Sequence, residues 1–247
     1  MENATMQDVK DFFYKFYRPN NAILVVAGGV KTEDIKVLAE KWFGPIPAGD
    51  IPSKDFPQEE KQAEKRTTTY DDEVPFNAIY KSFHMCNRTH PDYHAIDIIS
   101  DLLSLGDSNR LTQSLVKEQR LFSSVDAYIT GSQDNGLFMF EGQLLDGVSM
   151  EDAEAGINKE IEKIKQEKVE NLELEKIKNK IETHELLGGT SILNKAMELA
   201  YFENLGDADM YNKEASKYRK VTPEDIHRLA NEILVEENSS TLYYNAK

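Results

Sequence analysis

One pattern occurs twice in this chain and constrains its fold more than any other feature. In both copies a threonine and an aspartate open an amphipathic helix, and an asparagine and an apolar strand follow. The copies begin at Thr5 and Thr222, and the asparagines are Asn21 and Asn238, so the offset is 217 residues. Two capped helices before strands could match by chance, but the positions match without a gap, which favours a true repeat. The chain would then hold the tail of one unit and a complete second unit.

Local signals predict several helices. Helix starts are marked by a hydroxyl side chain followed by acidic residues, at Thr5, Thr32, Ser149 and Thr222. The hydroxyl oxygen can accept a hydrogen bond from a first-turn N–H, and the acids favour the positive end of the helix. Apolar residues at helical spacing predict buried faces over 95–103 and 153–164. A longer helix over 172–204 is expected to break near Gly188 and Gly189.

Runs rich in aromatic and β-branched residues predict strands. These runs are Ala22–Val26, Phe76–Met85, Phe122–Thr130, Gly136–Leu144 and Ser240–Tyr244. Long helices with a single apolar stripe pack against a half-buried sheet. We therefore expect an α+β fold, in which one mostly antiparallel sheet within 66–247 is covered on one face by helices.

Composition excludes several function classes. The chain has 44 acidic and 29 basic residues, a formal net charge of -15. Because an acidic surface repels phosphate backbones, no nucleic-acid partner is expected. No run of ~18 apolar residues occurs, so no membrane span is expected. A single cysteine, Cys86, excludes an internal disulfide and a zinc site built from several thiolates.

Five segments carry a family resemblance, and they follow one another in order along the chain. They are Tyr17–Gly28, His90–Tyr93, Leu103–Leu111, Leu115–Gln119 and Val221–Ile226. This series resembles the pitrilysin-like zinc metallopeptidases, which include insulinase and the mitochondrial processing peptidases. The resemblance implies paired α+β half-domains of about the repeat length. It makes 1–47 the tail of an upstream half-domain, 48–65 a linker and 66–247 a complete second, non-catalytic half-domain.

The resemblance also implies an H-x-x-E-H zinc motif in the other half, and none of the five histidines here begins such a motif. His90 and His94 stand four residues apart, as two zinc ligands on a helix would. However, Pro91 at the first helical position would leave His90 as a cap outside the helix. We therefore expect no metal ligand and no catalytic residue in this chain, with zinc as the cofactor of the upstream half.

The resemblance marks Leu103–Leu111 as a loop of the substrate chamber. Its candidate residues are Gly106, Ser108, Asn109 and Arg110. Arg110 could contact a substrate carboxylate or pair with Asp107, and the pairing is our preferred interpretation. Some family members hold an arginine and a tyrosine of the second half near the substrate. The matching positions here are Val116 and Ser123, so both side chains are absent.

The leading hypothesis is a carboxy-terminal, non-catalytic part of a zinc-dependent endopeptidase. It would close the peptide-binding chamber and support proteolysis by a zinc half that this chain lacks. The alternatives are an inactive scaffold or partner subunit of a metallopeptidase complex, and an α+β binding module of unrelated ancestry. Expected partners are a peptide or unfolded protein substrate and a zinc-binding half or homologous active subunit. Cytoplasm and periplasm both stay open as compartments, with the cytoplasm preferred.

Overall fold

The computed structural model describes residues 3–51, 56–57, 59–131 and 133–247. Its five strands form one sheet, and they are β1 Arg66–Asp72, β2 Ala78–Met85, β3 Phe122–Ile129, β4 Gly136–Leu144 and β5 Ser239–Ala246. The strand order is β1-β5-β2-β4-β3. Strand β1 runs parallel to β5, and the other neighbouring pairs are antiparallel. The predicted, mostly antiparallel sheet is thereby confirmed.

The described residues also form α-helices. They are α1 Met6–Phe16, α2 Thr32–Phe43, α3 Tyr93–Ser104, α4 Met150–Gln166, α5 Asn171–Gly188, α6 Ile192–Asn204, α7 Met210–Lys220 and α8 Pro223–Ile233. A π-helical segment, Thr112–Glu118, precedes β3. The predicted break near Gly188 and Gly189 is confirmed, because α5 ends at Gly188 and α6 begins at Ile192.

The chain divides into two compact units, and each is described by itself. Unit 1 comprises Met1–Glu59 and Glu185–Lys213, and unit 2 comprises Glu60–His184 and Glu214–Lys247. All five strands belong to unit 2. The half-domain boundaries drawn from the sequence stay a prediction.

The core of unit 2 lies between one face of the sheet and helices α3, α4 and α8. The predicted apolar stripes are buried there: Ala95, Ile98, Ile99, Leu102 and Leu103 on α3, and Ala153, Ile157, Ile161 and Ile164 on α4. On the sheet, Ile79 and Phe83 of β2 and Phe138 and Phe140 of β4 supply the facing side chains. Alternate residues of β2 and β4 therefore define a covered face and an open face of the sheet.

Three of the four predicted hydroxyl caps are confirmed. Thr5, Ser149 and Thr222 each accept a hydrogen bond from the backbone N–H three residues ahead. The prediction for Thr32 is wrong. Helix α2 starts at Thr32 itself, and the preceding Lys31 occupies the cap position without a side-chain bond. Because Thr32 already has helical backbone angles, it does not take up the extended geometry of a capping residue.

The predicted strand at Ala22–Val26 is wrong, and an edge strand of the sheet was not predicted. Residues 22–26 lie outside every strand, since the described part of unit 1 contains no second strand with which a ladder could form. Conversely, Arg66–Asp72 forms β1, although all seven of its residues are exposed. The sequence of β1 shows no alternation of apolar and polar residues, because neither face of this edge strand is buried.

Candidate substrate loop, buried ion pairs and open sheet face

The candidate loop connects α3 to the π-helical segment. It turns at Gly106, whose φ of +79° is a conformation that suits glycine. Asn109 is buried, and its Nδ2 donates to the Ser104 carbonyl at 2.9 Å. Its Oδ1 accepts a hydrogen bond from the Thr112 N–H at 2.6 Å. Asn109 therefore closes the turn and caps the helical segment that follows, which is a structural role.

Two further side chains of this loop, the half-buried Arg110 and the exposed Ser108, bond to α5. Arg110 makes a two-pronged ion pair with Glu173, with Nε–Oε1 and Nη2–Oε2 distances of 2.9 and 2.6 Å. Ser108 Oγ accepts a hydrogen bond from Lys176 Nζ at 2.7 Å. The predicted pairing of Arg110 with Asp107 is thus wrong. Helix α5 presents Glu173 with both carboxylate oxygens facing the planar guanidinium, which is the preferred geometry for arginine.

The positions that match the family's arginine and tyrosine take part in packing and strand pairing. Val116 lies in the π-helical segment and packs partly buried against the core. Ser123 donates to the Gln143 carbonyl across β3 and β4. Between them, Arg120 has a φ of 53°, and is exposed. Neither Val116 nor Ser123 offers a charged or phenolic group to a substrate.

The two histidines four residues apart do not form a metal site. The prediction that Pro91 opens the helix is wrong, because Tyr93 N–H bonds to the His90 carbonyl and α3 begins at Tyr93. Pro91 therefore lies within this turn, and His90 lies outside α3. His90 Nδ1 then accepts from the Asp92 N–H at 3.2 Å.

His94 belongs to a buried ion-pair cluster in unit 2. Its Nε2 lies 2.9 Å from Glu214 Oε2, and the guanidinium of Arg88 contacts the same oxygen. Lys217 Nζ lies 2.8 Å from the other carboxylate oxygen. Burial acts to raise the pKa of Glu214, but the hydrogen bonds from His94, Lys217 and Arg88 outweigh it and lower the pKa to about 2. His94 is thereby engaged as a carboxylate partner.

The other potential metal ligands do not form a metal site either. Over the ranges that the structure describes, no group of three or more His, Cys, Asp or Glu side chains could hold a metal ion. A catalytic zinc needs three protein ligands and an open position. The described residues therefore do not fit a catalytic zinc ion.

A second buried cluster ties α4 to the sheet. Glu154 of α4 lies 2.8 Å from Lys81 Nζ of β2, and it accepts from the Tyr243 hydroxyl of β5 at 2.5 Å. Lys65 Nζ lies 3.1 Å away. Burial acts to raise the pKa of Glu154, yet the bonds from Lys81 and Tyr243 lower it to about 2. This cluster holds α4 against the covered face of the sheet. The charge of the Glu154 carboxylate is balanced by these partners.

The open face of the sheet carries a different chemistry. In the strand register, Asp126 of β3 lies opposite Glu141 of β4, and Glu141 lies opposite Tyr80 of β2. The Tyr128 hydroxyl donates to Glu141 Oε2 at 3.2 Å. These residues are exposed or half-buried, in contrast to their neighbours on the covered face. The sequence analysis did not identify these residues. The two-residue alternation within the predicted strands could have shown that they share one face of the sheet.

Comparison with known proteins shows which family has this architecture. The family profile described as Peptidase M16 inactive domain matches residues 3–181. This chain belongs to the Peptidase M16 inactive domain family. The resemblance seen in the sequence, with its expectation of a non-catalytic domain, is confirmed.

Relatives of this M16 inactive domain include longer proteins. Zinc protease PqqE of Helicobacter pylori is 25% identical over 246 residues, which are 98% of this chain and 55% of the relative. A probable mitochondrial-processing peptidase subunit beta of Schizosaccharomyces pombe is 26% identical over 149 residues, 56% of this chain and 33% of that protein. The M16 inactive domain thus spans about half the length, or less, of these curated relatives.

A solved structure shares the fold. The crystal structure of a protease from Helicobacter pylori matches 99% of this chain and 59% of its own length, with a TM-score of 0.92 and 26% identity. None of the described helices of the M16 inactive domain combines the length and apolarity needed to cross a membrane.

Proposed function

We propose that this M16 inactive domain is the non-catalytic part of a zinc-dependent endopeptidase. It closes a peptide-binding chamber and supports proteolysis by a zinc-binding half outside this chain. The observation that carries the proposal is the match to the inactive-domain family over residues 3–181. The engagement of His94 by Glu214 supports it, because the histidine best placed on a helix has a structural partner.

A second candidate is a scaffold or partner subunit of a metallopeptidase complex. It is favoured by one observation, the similarity to a protein named as a subunit of a processing peptidase. In that case the zinc chain would be a separate homologous subunit. Both candidates have a peptide or unfolded protein as the bound substrate, and they differ in whether cleavage depends on this chain.

Reconstitution tests the proposal. The purified chain alone is expected to bind no stoichiometric zinc and to cleave no peptide. Addition of an H-x-x-E-H-bearing M16 half from the same organism is expected to give zinc-dependent cleavage that neither part shows alone. A zinc half whose motif glutamate is changed to glutamine is the matched control, and it should give no cleavage with or without this chain.

The outcomes distinguish the role in supporting proteolysis from the scaffold or partner role. A complex in which the zinc half cleaves equally well without this chain would support the scaffold or partner role. One tightly bound zinc per chain, lost when His90 and His94 are both changed to alanine, would contradict both roles. Elemental analysis and a quenched fluorescent peptide assay provide the two measurements.

A further inference from the structure

Two carboxylates lie side by side on the open sheet face, one on the edge strand β3 and one on its neighbour β4. Asp126 and Glu141 are direct partners in the antiparallel register of β3 and β4. Like charges directly opposite each other on a sheet are destabilising. None of the ion pairs among the described residues includes either carboxylate, whereas Glu154 and Glu214 each have lysine or arginine partners. The open face therefore keeps an uncompensated pair of negative charges.

Aromatic rings flank this pair. Tyr80 lies opposite Glu141 on β2, and the Tyr128 hydroxyl donates to Glu141. Burial and then the Glu141 charge raise the pKa of both tyrosines. Tyrosine ring faces attract cations, and the two carboxylates attract them as well. Charge and rings together thus suit one kind of group, a cationic side chain.

The other charges on this face do not neutralise the pair. His84 lies on the same face of β2, four residues and about 13 Å along the strand from Tyr80, and Asp72 of β1 accepts from the Tyr244 hydroxyl. Arg66 also lies on β1, which is separated from β4 by β2 and β5. At about 4.8 Å per strand spacing, Arg66 is roughly 14 Å from Glu141, beyond ion-pair range. The half of the face around β3 and β4 is therefore acidic.

We propose that the open sheet face of unit 2 binds an extended basic peptide and takes a lysine or arginine side chain between Asp126, Glu141 and the rings of Tyr80 and Tyr128. The occupant follows from charge complementarity. The inference rests on the proposed function, because that function brings a peptide to this domain. It adds a site and a side-chain preference that the family membership does not supply.

Peptide binding to the full 247-residue chain tests the site. The probe is a ten-residue threonine–valine peptide with one central arginine and an uncharged dye, and the matched probe carries citrulline, a neutral isostere of arginine. The wild-type chain is expected to prefer the arginine probe by about fivefold in Kd, as one exposed ion pair with cation–π support would give. Fluorescence anisotropy measures both affinities.

Isosteric variants locate the preference. In the double variant D126N/E141Q, the two probes are expected to bind equally. A control double variant, E118Q/D146N, removes the same charge from exposed residues outside the strands and should keep the preference. Thermal unfolding checks the fold of each variant, and Asp126→Asn alone serves as a milder substitute.

The results separate this inference from the proposed function. Equal binding of both probes by the wild type would overturn the cationic site and leave the chamber role intact. The site is also refuted if the preference survives in D126N/E141Q, or if the control variant loses it too. Binding of neither probe by the wild type would count against the site and against peptide binding by this domain.

Discussion

Glu214 illustrates how single residues of this domain are committed to structure. Its carboxylate lies among His94, Arg88 and Lys217, and it is buried on α7. Asp101 on α3 is the opposite case, because burial, followed by the nearby Asp97, raises its pKa to about 7. The two acids therefore respond to pH in opposite directions.

Removing the charge of Glu214 should destabilise unit 2. Glu214→Gln leaves the Arg88 guanidinium buried without its carboxylate, and we expect a loss of about 3 kcal/mol in the free energy of unfolding at pH 7. The wild-type pKa of about 2 is lowered, so the contribution is present above the ordinary value near 4.5 and is lost as the pH falls toward 2. Urea unfolding at pH 7 and pH 3 should show the difference shrinking. The exposed Glu118→Gln serves as control, and an equal loss there would contradict the argument.

The raised pKa of Asp101 predicts the reverse dependence. Between the ordinary pKa of 3.8 and about pH 7 the unfolded chain has released this proton while the folded chain still holds it, so the stability of the wild type falls as the pH rises through that window and levels off above it. Asp101→Asn cannot ionise. We expect the stability advantage of the variant over the wild type to grow by about 1 to 3 kcal/mol as the pH rises from 4 to 7. A pH-independent difference in denaturant midpoints would refute the assignment.

Among the elements, α8 shows how a local signal and packing agree. Thr222 and Asp225 form a capping box, with each side chain bonded to the other residue's backbone N–H. The apolar stripe of α8 is buried against the core. Helix α1 has the same box at Thr5 and Asp8, but its matching apolar residues are exposed. The repeated sequence therefore gives the same helix in two different environments.

The capping box predicts a defined stability change. Thr222→Ala removes the acceptor for the Asp225 N–H and is expected to cost about 1 kcal/mol. Thr222→Ser keeps a hydroxyl at the cap and should cost much less. Chemical denaturation of the two variants under identical conditions measures the contrast. Equal losses would show that the hydroxyl is not the stabilising group.

For the whole molecule, the division into two units matters most. Every strand that the described residues form, and the main buried core, belong to unit 2. Within unit 1, α1 exposes large apolar side chains such as Phe12 and Phe13. Exposed apolar surface of this kind favours association with another surface.

Deletion of residues 1–47 should therefore leave the sheet domain folded. We expect the shortened chain to unfold cooperatively and to self-associate less than the full chain, because the α1 side chains are gone. Circular dichroism melting and sedimentation velocity provide the measurements. Loss of cooperative unfolding would show that the tail belongs to the core of the sheet domain.

Local periodicity in the sequence was sufficient to predict the buried stripes of α3 and α4, three hydroxyl caps and four strands. These features depend on residues close in sequence, whose spacing matches helix or strand geometry. The sequence by itself also shows that this chain has no H-x-x-E-H motif. This agrees with its membership of an inactive-domain family.

Tertiary structure alone decided the partners. Arg110 pairs with Glu173, which is far along the chain, and Asp126 meets Glu141 only through the register of β3 and β4. Ala22–Val26 has strand-like residues but no neighbouring strand among the described residues of its unit, whereas β1 becomes a strand because β5 pairs with it. The strand β1 and the pairing of Arg110 with Glu173 both require a second, distant segment, and a pattern within one segment does not specify which segment that is.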